Sequence, residues 1–142
     1  MMDPLVKRNG WLLASGLSEF TYGLGECGDA LYLLFLQGHL LPDLYPTWSF
    51  TEIDHLMRTA PITLFPVFAF FAVGHSTAAI GVLRNRLWGF WLSLFLSLVT
   101  TFWAVFFLPL GGLDLAACLL IVSTLLVGRF GCHPILLERS IV

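Results

Sequence analysis

Charge is scarce in this chain. Seven Lys and Arg and nine Asp and Glu make up 11% of 142 residues, less than half the roughly 25% of an ordinary soluble domain. A net charge of −2 leaves no basic footprint for nucleic acid. Cysteine is scarce as well. Cys27, Cys118 and Cys132 form an odd set without a C-x-x-C pair, which argues against a disulfide framework or a thiol redox motif. The sequence carries no Walker loop, dinucleotide glycine motif or G-x-S-x-G. Glu52, Asp54 and His55 lack the i,i+4 spacing that presents two ligands from one helix face, and Cys132-His133 stands alone. Neither a metal nor a cofactor is expected.

What the chain has is apolar length: 58% of its residues are hydrophobic. A helix needs about 20 mostly apolar residues to cross a hydrocarbon core of roughly 30 Å. Four runs qualify, over about 11–36, 61–83, 87–110 and 113–127. Lys7 and Arg8 precede the first, Arg84 and Arg86 separate the second from the third, Pro109-Leu110-Gly111-Gly112 turns the chain before the fourth, and Arg129 follows it. The expectation is one all-α domain over 1–142, a polytopic four-helix transmembrane bundle embedded in a lipid bilayer. Its only substantial loop, 40–60, contains a short interfacial helix over Ser49–Arg58, with Phe50, Ile53 and Met57 on one edge and Thr51 at its start.

Basic residues set the expected orientation. Lys7, Arg8, Arg84, Arg86, Arg129 and Arg139 fall on one side of such a bundle and Arg58 alone on the other, so both termini are assigned to the cytoplasm, in the inner or plasma membrane if the source is prokaryotic. The first run is broken by Ser15, Ser18 and Glu19 and lacks a signal-type cleavage site, so it is read as a permanent helix.

That first run also carries the chemistry. At 100° per residue, Glu26 lies about 20° and Asp29 about 80° from Glu19, and Ser15, Ser18, Tyr22 and Gln37 share the same arc. Counting about 1.5 Å per residue from Trp11 puts Glu19 roughly 12 Å deep, Glu26 roughly 22 Å, and Asp29 near the far headgroups. The other three runs contain no Lys or Arg to neutralise these acids. Intramembrane carboxyls are functional candidates by default, the alternative being hydrogen-bonded glue between helices. His75, nine residues before Arg84, lies about 13 Å from the same boundary, level with Glu19. A His–carboxylate pair there would be an acid/base unit. In the third run Ser93, Ser97, Thr100 and Thr101 either line a polar cavity opposite Glu26 or bond back to their own helix. Asp114, at the start of the fourth, is assigned to capping.

These features suggest a small membrane enzyme doing isomerase- or cyclase-type acid/base chemistry on a lipid-like or isoprenoid substrate in an intramembrane pocket. The catalytic candidates are Glu19, Glu26, His75 and Tyr22; the substrate-binding candidates are Asp29, Ser97, Thr100 and Thr101. Two other readings stay open: a proton- or cation-coupled small carrier, as a homo-oligomer, and a non-catalytic accessory or ligand-binding subunit of a larger membrane complex.

Overall fold

The computed structural model describes residues 10–36, 60–106 and 111–131. They form four helices: α1 (Gly10–Leu36), α2 (Phe65–Leu83, entered through a single 3₁₀ turn at Pro61–Leu64), α3 (Leu87–Phe106) and α4 (Gly111–Phe130). Pro66 falls in the first turn of α2, where its missing N–H costs nothing and its fixed φ suits a helix start. Gly111 and Gly112, read from the sequence as part of a turn, are instead the first residues of α4. Gly111 is needed there because the Ala104 carbonyl occupies the place a Cβ would take. The short helix expected over Ser49–Arg58, and the polar residues His39, Asp43, Glu52, Asp54, His55, Cys132 and His133, lie outside the described residues.

Each helix packs against two others, α1 on α2 and α4, and α3 on α2 and α4. Contacts fix the directions. Gly16 meets Leu83 while Gly23 meets Ser76, so α1 and α2 run antiparallel. Leu12 meets Gly128 and Tyr22 meets Asp114, so α1 and α4 do too. Gly81 meets Gly89 at the foot of α2 and α3. The turn between them is tight: Asn85 has φ 53°, a left-handed conformation that Asn tolerates better than most residues. The N–H groups of Asn85 and Arg86 donate to Val82 O and Gly81 O at 2.9 Å each, satisfying carbonyls at the end of α2. The result is an up-down-up-down bundle.

At the end of the bundle holding this turn, Leu12, Val82, Phe90, Ile121 and Leu125 form a closed apolar core. Above it lies a polar layer of Ser15, Glu19, His75, Ser93, Ser97 and Thr100, all buried. The outside is apolar instead: Phe70 is 64% exposed, Phe95 61% and Phe130 69%. A polar middle and an apolar exterior suit hydrocarbon, not water. Ile62–Leu83, Leu87–Val105 and Gly111–Phe130 are each long and apolar enough to cross a membrane. At 27 residues α1 is longer than any of them, but Glu19, Glu26 and Asp29 lower its apolar character.

Candidate functional site

The polar stripe of α1 meets two different surroundings. Glu19 is fully buried. Its Oε1 lies 2.8 Å from His75 Nδ1 on α2, and its Oε2 accepts a hydrogen bond of 2.7 Å from Ser93 Oγ on α3. His75, also fully buried, uses its second ring nitrogen, with Nε2 3.3 Å from Thr100 Oγ1. Three helices therefore converge on one carboxyl–imidazole pair. In the imidazolium–carboxylate arrangement Nδ1–H donates to Glu19 and Nε2–H to Thr100; with the Nδ1 proton on Glu19 instead, the Glu19 O–H donates to Nδ1 and Nε2–H still donates to Thr100. Each arrangement keeps every partner. The proton can move between the two atoms without any heavy atom moving.

Glycine brings the pair together. A Cβ at Gly23 would lie 2.8 Å from Ser76 Oγ and 3.0 Å from Ser76 N, so only Gly lets α1 approach α2 this closely. Phe71 stacks at 6.1 Å and Tyr22 meets the ring edge-on at 4.8 Å, enclosing the imidazole in aromatic surface. Cys118 of α4 is fully buried beside Thr100 and Tyr22.

Two turns further along α1 the bundle opens. A groove of about 550 Å³ runs between α1 and the start of α4, within the size range of small-molecule sites. Its polar wall is Ser18, Thr21, Tyr22, Glu26, Asp29 and Asp114; Leu17, Leu113, Ala117 and Leu120 supply the apolar part. Among the described residues none of its lining is basic. Glu26 lies within electrostatic reach of both Asp29 and Asp114. The mutual repulsion of three carboxyls is relieved by a shared proton or by a cationic group on a ligand.

Tyr22 belongs to both places. Its ring lies against His75, and its hydroxyl points the other way, donating to Asp114 Oδ1 at 3.1 Å with Glu26 alongside.

Several sequence expectations change here. The α1 acids do not share one chamber: Glu19 faces α2 and α3, while Glu26 and Asp29 line the groove beside α4. The hydroxyls of α3 do not stand opposite Glu26. Ser93 and Thr100 serve the buried pair, and Ser97 Oγ and Thr101 Oγ1 are buried without a hydrogen-bond partner among the described residues. Asp114 lies in the first turn of α4 as expected, but it also binds Tyr22 and walls the groove. Its role was missed because its partner is 92 residues away; the available signal was an acid at the end of an apolar helix. Comparison with protein-family models, curated proteins and solved structures gives no match.

Proposed function

We propose that this chain is a four-span membrane enzyme that moves protons on a hydrophobic, lipid-like or isoprenoid substrate held in the groove between α1 and α4. The observation carrying this reading is the lining of that groove: acids and a phenol interleaved with aliphatic side chains from both helices, with no basic side chain among the described residues. Such a surface accepts an apolar chain and presents proton donors and acceptors to it.

Glu26 is the general acid in this scheme, giving a proton to one carbon of a substrate double bond. Asp114 takes a proton from the carbon on the far side of the resulting cationic centre. The double bond shifts, and a relay between the two carboxyls restores the starting state, so protons balance over the cycle. Glu19 and His75 do not line the groove and act as positioning residues, holding the Tyr22 ring from behind. In this reading α1 is the fourth span, exposing Trp11, Leu17, Phe20, Leu24 and Leu31 to lipid, and both termini are cytoplasmic.

Proton-coupled transport is less well supported. With Tyr22 on Asp114, a hydrogen-bonded path from the groove to His75 breaks at Tyr22, whose hydroxyl faces Asp114 while only ring carbons face the imidazole. An accessory role predicts stoichiometric partner chains on purification.

The test is deuterium transfer. Protein in lipid nanodiscs is incubated in D₂O with a total isoprenoid lipid extract, and products are read by mass spectrometry. The wild type should place deuterium on carbon in one lipid class, and Glu26→Gln should slow this by about 100-fold or more. No incorporation by the wild type, or full retention in Glu26→Gln, overturns the proposal.

A further inference from the structure

The contacts of Tyr22 have a consequence that does not depend on catalysis. The side chain is half-buried and lines the groove, while its ring edge lies on His75. On the far side of that ring are the buried Glu19–His75 pair, Thr100 and Cys118. The hydroxyl is fixed on the groove side by Asp114, to which it donates at 3.1 Å, and by Glu26 beside it.

We infer that Tyr22 is a movable partition between the open groove and the buried polar layer, and that Asp114, with Glu26 beside it, is the latch that holds it shut. The neighbouring backbone makes movement feasible. Gly25 on α1 has open space where a Cβ would stand, and Ala117 on α4 is the small groove residue one turn beyond the latch. Outward rotation of the ring therefore meets little bulk. The latch is also within a ligand's reach, because Asp114 itself lines the groove. A hydrogen-bond donor or cationic group entering there competes with the phenol for the same carboxylate oxygen. Ligand entry and access to the Glu19–His75 pair are thereby linked: occupying the groove frees the ring that seals the layer behind it.

This inference shares its groove with the proposed function, but its test reads no turnover, so the two can fail separately. Cys118 is a natural reporter because it is fully buried behind the partition. In a Cys27→Ser, Cys132→Ser background in nanodiscs, the rate of Cys118 modification by a small methanethiosulfonate reagent measures how often the partition opens. Tyr22→Phe removes every hydrogen bond of the hydroxyl and should raise the rate about tenfold or more, the range set by losing a hydrogen bond to a carboxylate; Asp114→Leu leaves Glu26 beside the phenol and should raise it less. Tyr22→Ala removes the partition and should raise it further. A second reporter separates opening from general loosening: Val82→Cys, with Cys118 also changed to Ser, places a thiol in the closed apolar core at the turn end of the bundle, away from the partition. Its rate should not change with Tyr22→Phe. Equal acceleration at both reporters, or an unchanged Cys118 rate in Tyr22→Phe and Tyr22→Ala, overturns the inference.

Discussion

Glu19 and Glu26 sit on the same stripe of the same helix, about 20° apart in azimuth, yet their environments are opposite. Around Glu19 three helices close in, and the carboxyl is held by an imidazole and a hydroxyl at 2.8 and 2.7 Å. Around Glu26 the start of α4 stands off, and the carboxyl looks into a groove of about 550 Å³. What separates them is backbone approach. The closed half is drawn together at Gly16, Gly23, Gly81, Gly89 and Gly128, each with another helix inside its Cβ position. In the open half, Gly25 and Gly28 have nothing within 4 Å of a built Cβ. Helical periodicity decides which residues share a face; interhelical packing decides what that face meets.

The largest test of this contrast replaces each glutamate with leucine. Glu19→Leu leaves His75 and Ser93 buried without their partner and should cost about 2–6 kcal/mol, at roughly 1–3 kcal/mol for each orphaned polar group. Glu26→Leu removes a groove carboxyl and should alter stability by no more than about 0.5 kcal/mol. Reversible unfolding in mixed micelles checks both. Equal losses would mean that the two acids occupy equivalent sites.

A smaller effect is expected at the glycines. Gly23→Ala puts a methyl against the Ser76 backbone and should cost about 1–3 kcal/mol, the usual range for overpacking. Gly25→Ala, two residues away, meets open space and gains helix propensity, so it should be neutral or stabilising by up to about 1 kcal/mol. The same unfolding measurement decides, and a destabilised Gly25→Ala would show that the open half is closed in the membrane.

The sequence pattern carries part of this account and not the rest. The four helices could be read because apolar length and flanking basic residues or a turn mark each one. Glu19 and His75 could be set at one depth because both are counted from the same boundary, at about 12 and 13 Å. The azimuth of His75 toward Glu19 was not legible, because it depends on the Gly23–Ser76 approach and on the tight turn at Asn85. The hydroxyls show the same gap. Thr21 and Thr124 bond back to Leu17 O and Leu120 O on their own helices, as such residues commonly do, while Ser93 reaches across to Glu19. Nothing in local spacing separates the two behaviours. Asp114 stands at the start of its helix as the pattern indicates, but its bond to Tyr22 was not legible, since neither helix alone records that Tyr22 lies opposite.

The split stripe is tested most directly by chemical labelling of its carboxyls. Dicyclohexylcarbodiimide, an apolar reagent that partitions into membranes and reacts with accessible carboxylic acids, is applied to the protein in nanodiscs and the adducts are located by peptide mass spectrometry. Modification on Glu26, with Asp114 or Asp29 as further sites and Glu19 untouched, is the predicted result. Adducts on Glu19 with Glu26 unmodified would contradict the division of this helix into a sealed half and an open one.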